Sequence, residues 1–334
     1  MKIDLNGKTA IVTGSSAGIG WRCARGLAEA GATVVVTARR PDALESARDR
    51  LIDAVPGSAV RAVAADLSSV GGCENLVRAE PRCDILVNNL GIFEPKPFFD
   101  TPDENWERLF HVNVMSGARL SRAYMPAMMD SGWGRVVFLS SEAGINVPVD
   151  SLHYGVTKAA VLALSRGLAK LAHRSGVTVN AVLPGVTMSE WVEAMIRGAA
   201  ERAGQTFEEA AHAAVKARYP TSITQRVHAL EEVANLVVYL CSTKSSATTG
   251  PALRADGGIA ACRRRHNRVD LLTSIAGPGG AFADRLPSVD IIQLKSRMAA
   301  TCGIASAFGG HGENRRAEEC LCAWPRRQRK CANL

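Results

Sequence analysis

Thr13-Gly14-Ser15-Ser16-Ala17-Gly18-Ile19-Gly20 decides how this chain folds. It follows a β-branched run, Lys8 to Thr13, of the kind a strand buried on both faces needs. It also opens a helical pattern that reaches about Ala30, where Gly31 supplies a stop. Glycines at 14, 18 and 20 let the backbone turn tightly and let a diphosphate approach the N–H groups at the positive end of that helix. Three glycines in a turn say little alone. Between a strand and a helix, with a second strand (Thr33 to Thr37) about twenty residues on, they read as a dinucleotide-binding βαβ unit.

The end of the second strand reports on which dinucleotide. A site for NAD commonly places a carboxylate there for the ribose hydroxyls, whereas a 2′-phosphate is repelled by a carboxylate and attracted by Arg. The chain reads Thr37-Ala38-Arg39-Arg40-Pro41, with two guanidiniums and no acid. Arginines also solvate strand-to-helix corners, but the pair favours NADP over NAD. Ser15 or Ser16 would add a hydroxyl to the same phosphate. A third strand, Ser58 to Ala65, ends in Asp66-Leu67, where the carboxylate suits either an adenine amino group or a helix N-cap.

Further strands are expected at Asp84 to Val87, Gly134 to Leu139, Val177 to Val182 and Ala252 to Ala255. Helices are expected at Pro41 to Ala54, Cys73 to Glu80, Thr101 to Met129, from before Tyr154 to about Ser175, and Leu230 to Cys241. Asn113 sits mid-helix between two valines, where its carboxamide gains by side-chain hydrogen bonding or by locally opening the ladder to hold a water. After Pro184-Gly185, helical patterns at Ser189 to Ala203 and Thr206 to Ala217 form an insertion, about 186–225, read as a lid over a substrate.

Tyr154 and Lys158 stand four apart and leave one helix face a turn from each other. A nearby ammonium pulls a phenol's pKa down from its usual value near 10. Ser141, at the end of an apolar run, presents a hydroxyl able to hydrogen-bond a substrate oxygen beside the Tyr. Taken by itself, such a pair equally describes a half-buried ring and a solvated charge.

The chain has 334 residues, 47% of them hydrophobic, enough for a substantial core. No apolar run approaches the ~18 residues of a membrane span, and no signal peptide is apparent, which predicts a cytoplasmic protein with no membrane partner. The nine cysteines lack convincing metal-ligand spacing, so no metal is expected. Net charge is +8, but segment 263–334 alone carries 13 Lys and Arg against 6 Asp and Glu. The body is nearly neutral, which argues against nucleic acid as its partner.

Together, T-G-x-x-x-G-x-G (13–20), N-N-x-G (88–91), Asn113, Ser141, Y-x-x-x-K (154–158), P-G (184–185) and D-G-G (256–258) resemble the short-chain dehydrogenase/reductase family in order and spacing, over Lys2 to about Ala260. The resemblance implies an α/β, Rossmann-like, doubly wound parallel seven-stranded sheet with helices on both faces, assembled as a homotetramer or homodimer. Carried over by position, Tyr154 is the acid-base, Lys158 lowers the Tyr pKa and binds the nicotinamide ribose, Ser141 orients the substrate oxygen and Asn113 holds a relay water. It further implies cofactor contacts at Gly14, Ser15, Ser16, Gly18, Ile19, Gly20, Arg39, Arg40, Asp66, Leu67, Asn89, Gly91, Pro184, Gly185 and Ser189. Leu90 departs from the family's commoner Ala.

The expected activity is an NADP(H)-dependent interconversion of a small carbonyl and a secondary alcohol, with reduction of a 3-oxoacyl thioester as a narrower version. An NADP-binding sensor on the same fold is the alternative, though it has no need of the Asn113/Ser141/Tyr154/Lys158 set. His153, Val147, Pro148, Trp191 and Met195 are candidate pocket residues. Residues 1–262 are expected to form the catalytic domain, and 263–334 a poorly ordered basic extension rather than a functional module.

Overall fold

The computed structural model describes residues 2–260; segment 263–334, and the expectation attached to it, lies outside the described residues. Seven parallel strands form one sheet: β1 (Thr9–Val12), β2 (Thr33–Ala38), β3 (Val60–Ala64), β4 (Ile85–Asn88), β5 (Gly134–Leu139), β6 (Val177–Pro184) and β7 (Ala252–Ala255). Their spatial order is β3-β2-β1-β4-β5-β6-β7, so the winding reverses between β1 and β4. Open sheets of this kind bind ligands beyond the strand carboxyl ends at such a reversal.

Side-chain alternation along the strands sorts the core into two layers. Ala10, Val12, Val34, Val36, Val87 and Leu139 pack beneath α1 (Gly18–Glu29), α2 (Pro41–Ala54) and α9 (Leu230–Cys241). On the other face Ile11, Val35, Leu86, Val136 and Phe138 meet α3 (Val70–Ala79), α5 (Ser116–Asp130) and α6 (Leu152–Leu171). Central strands buried on both faces explain why the sequence shows near-continuous Val, Ile and Leu rather than a polar stripe.

The expected long helix around Asn113 is not uniformly α. Between α4 (Asp103–Phe110) and α5 lies a π-helical turn, His111–Met115, with Asn113 at its centre. One extra residue per turn opens the ladder, a feature frequent at functional sites. Beyond β6, α7 (Glu190–Ala203) and α8 (Phe207–Arg218) form a hairpin around a small core of their own, built on Ile196, Ala200 and Ala210. Gly204 closes α7 in the left-handed conformation, φ +62°, and a capping box between Thr206 and Glu209 starts α8.

Candidate active site

The glycine turn is tied to two neighbouring strands. The Asn89 amide nitrogen, Nδ2, donates to the carbonyls of Thr13 (2.9 Å) and Gly14 (3.0 Å), while the Thr13 hydroxyl accepts from the backbone N–H groups of Asn89 and Leu90. A Cβ on Gly20 would come within 2.4 Å of that Asn89 nitrogen, so residue 20 has no room for a side chain. Gly18 has φ +59°, where an L side chain is strained. The helix entered here is uncapped: Ala17 offers no side-chain acceptor to the first-turn N–H groups of α1, whereas Ser69, Ser189 and Thr206 cap α3, α7 and α8. That cradle fits a diphosphate.

Ser15 does not fit the role of a phosphate contact. It is fully buried; its hydroxyl donates to Val12 O (2.7 Å) and accepts from Thr37 N–H (2.9 Å), and its own N–H is bonded to Thr37 O. Its work is to lock β1 to β2, and Ser16 is the hydroxyl left at the rim. Arg39 has no ion-pair partner among the described residues, while Arg40 stands 3.7 Å from Asp42 on an exposed corner. Arg50, which sequence reasoning passed over, reaches back from α2 to donate to Ser16 O (2.8 Å) and lies over the Trp21 ring. Arg39 and Arg40 thus follow β2 directly, and Arg50 adds a guanidinium at the glycine turn. Asp66 is exposed and turns its carboxylate to Ser68, while Ser69 serves as the α3 N-cap. The Leu67 side chain is buried in the core, which leaves only its backbone for a ligand.

Over the carboxyl ends of β4, β5 and β6 lies a cleft of about 1000 Å³. Ile19, Asn89, Gly91, Ser141, Tyr154, Lys158, Pro184, Gly185 and Ser189 all line it. Asn113 sits just behind: its Oδ1 accepts from Ile92 N–H (2.8 Å), and its Nδ2 donates to Ile92 O (3.1 Å) and Thr157 Oγ1 (3.0 Å). It thereby fixes the loop after β4 to the helix that carries Tyr154. A Cβ on Gly91 would stand 3.2 Å from Lys158 Nζ, so glycine there keeps the ammonium's surroundings open. Ser189 caps α7 through its oxygen (3.3 Å from Val192 N) and retains its proton for donation.

The electrostatics differ from expectation. Burial drives the Tyr154 phenol pKa up, and a hydrogen bond with Ser141 opposes it only in part. Lys158 does not supply the expected depression. Its ammonium, 5.6 Å from the Tyr154 ring centroid, donates to Leu139 O (3.0 Å), and burial brings its own pKa down to about 8. Lys158 thus stays mostly protonated at neutral pH, with a narrower margin than a free lysine.

Of the candidate pocket residues, Pro148, Trp191 and Met195 line the cleft. His153 does not: it is buried against Trp106, ring centroids 5.9 Å apart. Val147 packs over Gly155 instead. Unforeseen were Phe93, edge-on to both Tyr154 (4.9 Å) and Trp191 (5.9 Å), and Glu142, Arg218 and Tyr219. Arg218 makes two hydrogen bonds to Asp150 (2.6 and 3.1 Å), joining the end of α8 to the approach of α6. The signals were present as S-E-A-G and A-R-Y-P, but no periodicity marks partners so distant in the chain.

A dinucleotide cradle at the winding reversal, opening into a cleft with Ser, Tyr and Lys side chains, defines a nicotinamide-dependent oxidoreductase of the Rossmann type. The family model for enoyl-(acyl carrier protein) reductase matches residues 14–260, and the chain belongs to the short-chain dehydrogenase/reductase family. It is 46% identical over 259 residues to an uncharacterized oxidoreductase of Bacillus subtilis, covering 78% of this chain and 98% of the relative. It is 32% identical over 258 residues to the 3-oxoacyl-[acyl-carrier-protein] reductase of Escherichia coli, covering 77% and 99%. The crystal structure of L-sorbose reductase from Gluconobacter frateurii, complexed with NADPH and L-sorbose, superposes with a TM-score of 0.73 at 30% identity, covering 78% of this chain and all of that one. Among the described residues no helix is long and apolar enough to cross a membrane.

Proposed function

We propose that the protein is an NADP(H)-dependent oxidoreductase interconverting a small carbonyl compound and its secondary alcohol, with Tyr154 as acid-base. The observation that carries this is the convergence of Ser141, Tyr154 and Lys158 on one cleft with Gly91, Pro184, Gly185 and Ser189. A nicotinamide dinucleotide bound in that cleft supplies or accepts the hydride. Residues of the glycine turn, together with Asn89, Gly91, Pro184, Gly185 and Ser189, would hold it. Arg39, Arg40 and Arg50 supply the positive charge that favours a 2′-phosphate, and the NADPH named for the sorbose reductase agrees.

In reduction Tyr154 gives its proton to the carbonyl oxygen while Ser141 holds that oxygen in place; in oxidation Tyr154 takes the proton back. Burial keeps the Tyr154 phenol protonated at neutral pH, as a donor must be, and Lys158 is the candidate partner of the nicotinamide ribose. Asn113 keeps the Tyr154 helix and the Ile92 loop in register and is the candidate holder of a relay water. Phe93, Trp191 and Met195 give the substrate side an apolar lining, with α7 and α8 as the lid. A homotetramer or homodimer in the cytoplasm is the accompanying expectation from the family.

Oxidation of NADPH and NADH should be followed over ketones, aldehydes, quinones and acyl thioesters. Tyr154→Phe is expected to abolish turnover by about 10²–10⁴-fold while leaving NADPH affinity intact. Undiminished turnover in that variant would refute the assignment.

A further inference from the structure

Glu142 is an acid in the substrate cleft that the mechanism above does not use. It is the residue after Ser141, is only 8% exposed, and lines the same cleft. The Ser141 hydroxyl donates to its carboxylate oxygen Oε2, and the Ser141 oxygen accepts from the Ala143 N–H (3.2 Å). A hydroxyl has one proton and two acceptor positions. Glu142 takes the proton, Ala143 fills one acceptor position, and the second is the one that meets the Tyr154 phenol.

In that state Ser141 accepts but does not donate, so it offers no proton to a carbonyl oxygen, whereas an alcohol, whose own O–H goes to Tyr154, does not depend on one. To donate to a carbonyl, Ser141 must be released by Glu142. Protonation of Glu142 achieves this: the carboxylic acid donates to the acceptor position that Tyr154 leaves when its phenol turns to the substrate, and the Ser141 proton turns to the substrate as well. One proton from solvent is taken up and no covalent bond to carbon changes.

Resting on the function proposed above, we infer that Glu142 is a positioning residue whose proton occupancy sets the direction of the Ser141 hydrogen bond, releasing the Ser141 proton to a carbonyl when protonated and withholding it when ionised. The groups facing Glu142 come from several elements. Tyr154 and Lys158 lie on α6, Tyr219 on the segment after α8, and Asp256 on the turn after β7. Burial raises the Glu142 pKa and Asp256 adds to the rise, while the hydrogen bonds from Ser141 and from the backbone N–H of Ala143 favour the ionised form. Its titration is thereby displaced upward from the usual carboxylate range.

The test is the pH profile of kcat/KM for reduction of ethyl acetoacetate with NADPH. For the wild type, reduction should fall above a break, approaching about tenfold per pH unit. Glu142→Gln, which cannot titrate, should lose that break, leaving the reduction profile flat to within roughly twofold across it. Ser141→Ala should lose it too in its residual activity, although its carboxyl is intact.

Glu142→Asp serves if the Gln variant fails to fold, and should keep a break at a moved position. Infrared difference spectra of the wild type across the break should show the stretch of a buried protonated carboxyl, absent in the Gln variant. A Glu142→Gln profile that keeps the wild-type break, or the absence of any such infrared band in the wild type, overturns this inference alone. A wild type that turns over neither this probe nor the wider carbonyl panel overturns the parent function and takes the inference with it.

Discussion

Replacing Asn113 with Ala tests how the site is held together. The carboxamide makes three buried hydrogen bonds, one accepted from the Ile92 N–H and two donated, to Ile92 O and Thr157 Oγ1. At about 1 kcal/mol each, their loss costs about 3 kcal/mol, and the stranded Ile92 N–H keeps the cost from falling lower. For a domain of this size that corresponds to a melting temperature roughly 6–12 °C lower. Thermal and urea unfolding at fixed protomer concentration are the measurements, with NADPH oxidation followed in parallel. Asn113→Asp keeps the acceptor for the Ile92 N–H but loses both donated bonds, and should be destabilised to a similar extent. A melting temperature for Asn113→Ala within about 1 °C of wild type would refute the claim that this carboxamide fastens the loop to the helix.

Gly20→Ala forces a methyl to within 2.4 Å of Asn89 Nδ2, so fluorescence titration should show NADPH binding weakened by tenfold or more, at about 1–3 kcal/mol of strain. Arg39→Ala should raise KM for NADPH by roughly 10- to 100-fold, the worth of a charge-assisted hydrogen bond, and leave that for NADH unchanged. Glu232, held by Arg226 and by the Ala229 N–H, has its pKa lowered from 4.5 to about 2. A carboxylate with a depressed folded pKa stabilises above its unfolded value, and that contribution disappears as pH falls from 4.5 toward 2. Because the pair is exposed, Glu232→Gln should flatten the acid limb of stability by no more than about 1 kcal/mol.

Much of this architecture was legible because it is periodic or punctuated. Pro41–Ala54, Leu230–Cys241, Gly134–Leu139 and Ala252–Ala255 fall where pattern and breakers place them. The opened ladder at Asn113 was one of two roles, beside side-chain hydrogen bonding, that a polar residue between valines offered, and both occur. What escaped were partnerships between residues far apart in sequence: Arg50 with Ser16, Arg218 with Asp150, and Phe93 with Trp191. No local rule couples such positions, since they meet only once the sheet is wound. Ser15 was misread for a related reason. Its inward turn depends on Thr37, a strand away, and an isolated G-S-S looks like two exposed hydroxyls. The Tyr154 and Lys158 pKa directions follow from burial, which spacing on a helix does not report.

The hairpin of α7 and α8 keeps its own small core, around Ile196, Ala200 and Ala210. Its cleft-facing residues, Trp191, Met195 and Arg218, meet the rest of the fold through few partners, Phe93 for Trp191 and Asp150 for Arg218. Substitutions in this hairpin that leave those two contacts in place would therefore reshape the cleft lining at little cost to the sheet. Variation of the lining and durability of the sheet are thereby housed in separate packing units.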